Sequence, residues 1–304
     1  MQIVWLGQGG LLLVSKKYKI LVDPYMSNSL KKIDRTFKRR IKVKGKFFKV
    51  KPDIILLTNS HPDHTDIKTL TAFLGGRSGR STTVISCENA FRLIADAPKL
   101  KRANHIMFGE GDEWSFNNLH IKAVKARTDD RTAFGVVITD ESDGKIYYIA
   151  SNTLYNEEIF PSLPEGIFAA FIPISGMYGC MNAQDAKRFA TRLGAEYVIP
   201  INYGMFDTLD PGEFKCAGRV LPKPYKAIEY NLLPVQSLFA PNVFDKDFNE
   251  KSEIKRIKEQ KKLEKEAKKK EALAKKEAKK PKPVDAQKAV DESEPEKAEI
   301  ITEE

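Results

Sequence analysis

The run Asp53-Ile54-Ile55-Leu56-Leu57 passes without a spacer into Thr58-Asn59-Ser60-His61-Pro62-Asp63-His64, and this junction constrains the chain more than any other part of it. A continuous apolar stretch of that length, bounded by polar residues, reads as a buried strand. The loop that leaves such a strand is placed to point two imidazoles and a carboxylate at one spot. Those are the donor types that zinc, manganese or iron accept. On its own, His61-Pro62-Asp63-His64 fits a metal site, a catalytic cluster or a local hydrogen-bond cluster equally well.

The surroundings of the junction repeat one theme. Upstream, residues 2–6, 11–14 and 19–22 read as a β-meander that ends at Asp23-Pro24-Tyr25. Downstream come a helix over 66–74, a strand over 83–86 and a helix over 88–96. Short strands follow at 106–108, 113–116, 119–124, 134–139 and 146–150, with Asp143-Gly144 a hairpin turn, and together they predict a second sheet. A buried strand over 169–174, a helix over 183–193 entered after Asn182, and a strand over 197–201 then give a second β-α-β unit.

Composition divides the chain in two. Residues 1–248 hold enough Val, Ile, Leu and Phe for a sizeable core, whereas 249–304 form a Lys/Glu-rich tail, predicted to be a solvated helix or disordered. The net charge of +10 is concentrated there, since 251–280 carry 14 basic against 6 acidic residues. Such a run is a solvated surface more often than a nucleic-acid site, so no nucleic-acid partner is expected and the tail's own partner is undefined. The basic segment 31–51 is read in the same way, as solvated surface ahead of an anion-recruiting flap. Cys87, Cys180 and Cys216 are odd in number and form no CxxC, which fits a reducing, cytoplasmic setting. The first residues lack a basic stretch ahead of an apolar run, and no stretch is long and apolar enough for a membrane span.

Several segments in order carry a more specific message: Trp5-Leu6-Gly7-Gln8-Gly9-Gly10, Val22-Asp23-Pro24-Tyr25-Met26-Ser27, residues 58–66, 148–156 and 173–185, and Pro200-Ile201-Asn202-Tyr203-Gly204-Met205-Phe206-Asp207. Together they resemble the metallo-β-lactamase superfamily and, within it, the L-ascorbate-6-phosphate lactonase-like branch, over residues 1–214. The resemblance implies an α/β fold, a four-layer αββα sandwich, with the charged tail appended. It also implies two metal ions: one held at the positions of Asn59, His61 and Arg127, the other at those of Asp63, His64 and Asn202, with Asn152 between them. His61, Asp63 and His64 are retained ligand types, whereas Asn59, Arg127, Asn152 and Asn202 stand where the family's pattern has His, His, Asp and His. A neutral amide is a poor zinc donor and a guanidinium is none, so the first site is expected to be abolished and the second to be weak.

Further roles follow from the resemblance. Asp23 either orients a ligand histidine from behind or simply caps the turn before Pro24. Arg127 either binds an anionic ligand or bridges to Asp63. Tyr178, Asn182 and Tyr203 fall on loops expected to rim the pocket and contact substrate. His105 and His120 match no ligand position.

Two functions then compete. One is a lactonase-like hydrolase of small anionic, phospho-sugar-type substrates, using one loosely held Mn, Zn or Mg ion at Asp63 and His64. The other is a metal-free pseudoenzyme that binds an anionic ligand through Arg127 and the remnant pocket. A weaker third is general-base catalysis by His61 and Asp63 without metal. As relatives of this branch assemble, a homo-oligomer is expected.

Overall fold

The structure is a computed structural model that describes residues 1–206, apart from 17, 40–42 and 44, together with the strand Ile228–Asn231. The tail expected over 249–304 and Cys216 lie outside the described residues.

Two mixed sheets pack face to face around one hydrophobic core, the αββα arrangement. The first sheet has the order β13-β1-β2-β3-β4-β5-β6, built from β1 (Gln2–Gly7), β2 (Gly10–Ser15), β3 (Tyr18–Val22), β4 (Ile54–Leu57), β5 (Thr83–Ser86), β6 (Asn104–Met107) and β13 (Ile228–Asn231). The second has the order β12-β11-β10-β9-β8-β7, built from β7 (Glu113–Phe116), β8 (Leu119–Lys125), β9 (Phe134–Asp140), β10 (Lys145–Ile149), β11 (Ile167–Pro173) and β12 (Tyr197–Ile201). Each sheet is antiparallel in one half and parallel in the other.

The pattern of apolar residues explains this placement. All of Ile54–Leu57 and of Ile167–Pro173 is buried, because β4 and β11 lie inside sheets covered on both faces. β8 instead alternates, with Leu119, Ile121 and Ala123 buried and His120 and Lys122 half-exposed. Helix α1 (Ile67–Leu74) is capped by Asp66, whose side chain accepts from Lys68 N, and it buries Leu70, Phe73 and Leu74. Helix α2 (Glu88–Ala95) carries the chain from β5 to β6, and α3 (Ala183–Leu193) from β11 to β12; α3 ends at Gly194, which takes φ +64.

One expected strand changes sheet. The segment read as 106–108 and grouped with the second sheet is β6, and it pairs in parallel with β5. Helix α2 and the turn after it return the chain to the same edge, so the next strand extends the first sheet. Strand β13, antiparallel to β1, was not anticipated. Within and at the start of the basic segment 31–51, the described residues form 3-10 turns at Leu30–Lys32, Arg35–Phe37 and Gly45–Lys49. No helix among the described residues is long and apolar enough to cross a membrane.

Candidate functional site

Strand ends make the site. The loops leaving β3, β4, β8, β10, β11 and β12 at their C-terminal ends supply Asp23, residues 58–64, Arg127 to Asp129, Asn152, residues 175–182 and Asn202, and the β1–β2 turn adds Gln8. Asp23 and Asn202 take positive φ immediately after a strand (+43 and +54), and Ser151 does so two residues after one (+61). Non-glycine residues are uncommon there, and here the sharp bends aim functional loops inward.

The deepest pair is Asp23 and His64. Asp23 Oδ2 lies 2.8 Å from His64 Nδ1, and Asp23 also accepts from Thr58 N at 2.8 Å and Thr58 Oγ1 at 2.6 Å. Burial favours a neutral His64 ring, but the charges of Asp23 and Asp63 outweigh it and push the pKa up to about 9. Asp63 Oδ2 is 3.9 Å from His64 Nε2 and accepts from Gln8 Nε2 at 2.9 Å.

A chain of side-chain contacts runs from His64 to the surface. Asn202 Nδ2 lies 3.4 Å from His64 Nε2 and also donates to Asn152 Oδ1. Asn152 Nδ2 donates to His61 Nδ1 at 2.8 Å, and His61 Nε2 meets the Asp129 carboxylate at 3.1 Å. Cys180 Sγ closes the inner part, 3.2 Å from Asn152 Oδ1 and 3.4 Å from Asn202 Nδ2, and burial pushes that thiol up to about 12. Asn59, fully buried, donates to Thr58 Oγ1 and Ser151 Oγ and accepts from His61 N, so its amide is consumed by the scaffold.

This donor set does not fit a binuclear metal centre. Among the described residues no three His, Cys, Asp or Glu side chains converge as a metal cage. His61 Nδ1, the nitrogen left free by Asp129, is capped by the Asn152 amide. Among the described residues, Asn202 Oδ1 alone is buried in the centre without a hydrogen-bond partner.

Several expected site residues lie elsewhere. The Arg127 guanidinium pairs with Glu158 at the surface and not with Asp63, because β8 brings it level with the Glu157–Ser162 turn. Asn182 caps α3, accepting from Asp185 N at 2.8 Å. Tyr203 is buried and stacks on Trp5 with ring centroids 5.3 Å apart, so it is core and not rim. Tyr178 does rim the cleft above the centre, with Gln8, Thr36, Phe37, Ser175, Met177 and Phe206. Of these, Gln8 stood in the quoted Trp5 to Gly10 segment, and Phe37 had no local signal because a 3-10 turn in a basic loop delivers it. Asp129, the partner of His61, was missed although it stands two residues from Arg127.

A profile of the beta-lactamase superfamily domain matches residues 2–202. The chain belongs to the metallo-β-lactamase superfamily. A UPF0173 metal-dependent hydrolase of Oenococcus oeni is 27% identical over 228 residues, covering 70% of this chain and 91% of that protein. One from Pyrobaculum islandicum is 27% identical over 221 residues, covering 71% and 90%. A metallo hydrolase from Ignicoccus hospitalis superposes with a TM-score of 0.58 at 21% identity, over 76% of this chain and 99% of that one. A metallo-β-lactamase fold protein from Bacillus subtilis does so with 0.55 at 16%, over 75% and 98%. The two structures share the fold, and the two sequences put this superfamily member beside metal-dependent hydrolases.

Proposed function

We propose that this metallo-β-lactamase superfamily member is a non-catalytic binding protein in which a hydrogen-bonded network has replaced the binuclear centre. The observation that carries the reading is the continuous contact between Asn202, Asn152 and His61, three positions that the family resemblance assigns to metal. In hydrolases of this architecture the ions acidify the attacking water and stabilise the developing oxyanion. Here the same volume is filled by amides that bond to one another. A buried network of this kind is favourable only when its members satisfy each other, and all but Asn202 Oδ1 do.

The test is metal content. Protein purified without chelator and dialysed against metal-free buffer is expected to hold only trace zinc, manganese and iron by plasma mass spectrometry. It is also expected to leave aryl esters and lactones intact in added Mn²⁺. Two equivalents of retained metal, or turnover that rises with added metal, would sink the reading.

The lactonase-like alternative keeps one specific observation in its favour. Asn202 Oδ1 is a buried acceptor without a hydrogen-bond partner, and both the Asn202 amide and Asp63 lie at His64 Nε2. These three are the second-ion positions of the resemblance, and a hard, weakly held cation such as Mn²⁺ or Mg²⁺ suits oxygen donors of this type. That ion would compete with a protonated His64. The titration with Mn²⁺ in the same experiment separates the two readings.

A further inference from the structure

The cleft above the network is an open hollow with a cavity volume of about 90 Å³, lined by Gln8, Thr36, Phe37, Ser175, Met177, Tyr178 and Phe206. Among the described residues no charged side chain lines it. Phe37 meets Tyr178 and Phe206 edge-on, at centroid distances of 5.9 and 5.5 Å. Its floor is continuous with the network, since Gln8 donates to Asp63 and the Tyr178 carbonyl accepts from Asn152.

Tyr178 is held there at a cost. It takes φ +52 between Gly176 at +70 and Gly179 at +74, a region that bulky residues avoid, yet its ring is 59% exposed. A Cβ on Gly179 would lie 2.0 Å from Thr128 Oγ1, so the loop is pressed against the 128–129 turn. The strained residue therefore does not bury its own ring. Met177 beside it is 44% exposed, and a thioether adapts to aromatic faces.

We propose that this cleft binds the uncharged aromatic ring of a small molecule, with Tyr178, Phe37 and Met177 holding the ring and Gln8 and Ser175 reading one polar substituent. The assignment deepens the non-catalytic reading and rests on it. Anionic groups are disfavoured because no cation among the described residues lines the cleft and Arg127 is paired with Glu158. An unpaired charge in such a lining would lose its hydration without return.

Calorimetric titration of the full chain with p-cresol, phenyl phosphate and benzyltrimethylammonium tests the charge class directly. The expectation is that p-cresol binds tightest, and that Tyr178→Ala and Tyr178→Gly each weaken it about tenfold while Tyr178→Phe keeps it within about twofold. Tyr178→Gly relieves the positive φ, so its thermal midpoint should not fall, which separates lost contact from lost fold. Tighter binding of either charged ring, unchanged affinity in Tyr178→Gly, or no binding of p-cresol overturns the proposal. Metal content of the same sample is measured beside it. Retained metal would overturn the non-catalytic reading, whereas a metal-free sample that binds no ring would overturn this one alone.

Discussion

Asp23 and His64 form a buried pair, 2.8 Å apart, behind the position where the superfamily places its second ion. In a protein that holds metal through His64, such a carboxylate would orient the ring and strengthen it as a donor. With amides filling the centre, the same carboxylate holds a proton on the ring. Because the raised pKa of about 9 exceeds the ordinary 6.5, this pair contributes stability that is fully present below pH 6.5 and is lost as pH rises through 9.

Urea unfolding between pH 6 and pH 10 should therefore show a loss on the order of 3 kcal/mol across that window. In Asp23→Asn the loss should shrink, and stability at pH 6 should fall by about 3 to 5 kcal/mol because a buried charge loses its partner. A flat wild-type profile from pH 6 to pH 10 would mean that His64 is neutral in the folded protein.

Asp130 gives a prediction of opposite sign. Its carboxylate accepts from Ser60 N at 2.8 Å, Ser60 Oγ at 2.7 Å, Asn89 Nδ2 at 2.8 Å and Thr132 N at 3.0 Å, tying the loop after β4 to the start of α2. Burial would raise its pKa, but the donors from Ser60 and Thr132 prevail and hold it down to about 2. A depressed carboxylate contributes stability present above its unfolded value of 3.8 and lost as pH falls through 2. Asp130→Ala should cost roughly 3 kcal/mol at pH 7 and move the acid-unfolding midpoint upward, read by circular dichroism.

Gly9 is required by space and not by conformation. A Cβ there would sit 2.8 Å from His64 Cε1 and 2.9 Å from Asn202 Oδ1. Neither neighbour is a flexible end, since both are pinned in the network. Gly9→Ala should cost about 1 to 3 kcal/mol and shift the His64 imidazole resonances, whereas an exposed glycine such as Gly144 changed to alanine should leave those resonances in place. Unchanged His64 signals in Gly9→Ala would mean that the turn is looser than its packing indicates.

How much of this was legible beforehand depends on the range of the interactions. Elements with a local signature stand where the sequence put them: Thr83–Ser86, Glu113–Phe116, Ala183–Leu193 after Asn182, and Tyr197–Ile201. The sheet membership of β6 was not legible, because it depends on which edge α2 returns the chain to. At the site, spacing placed His61, Asp63, His64 and the substituted positions, but not their partners. The resemblance put Arg127 at a ligand position, facing an anionic ligand or Asp63, yet Glu158, 31 residues later, takes it at the surface. Tyr203 and Asn182 read as rim residues because they follow strands, and packing on Trp5 and capping of α3 claim them instead. Such pairings arise between distant segments and leave no trace in local pattern.

Reversion of the centre is the strictest test of the correspondence between these residues and the superfamily's ligand positions. Asn59, Asn152 and Asn202 lie within the same hydrogen-bonded cluster around His61, and only Arg127 points away from it. Returning Asn152 to Asp and Asn202 to His supplies a bridging carboxylate and an imidazole next to Asp63 and His64. Returning Asn59 and Arg127 to His supplies the other two nitrogens beside His61. The quadruple variant Asn59→His, Arg127→His, Asn152→Asp, Asn202→His should then gain divalent metal, and its thermal midpoint should rise with added Zn²⁺ while the wild type's should not, since a ligand that binds only the folded state stabilises it by mass action. The pair Asn152→Asp and Asn202→His alone should gain a weaker single site, because His61 would still lack its two partners. If the quadruple variant folds and its midpoint ignores zinc, the assignment of Asn59, Arg127, Asn152 and Asn202 to ligand positions is wrong.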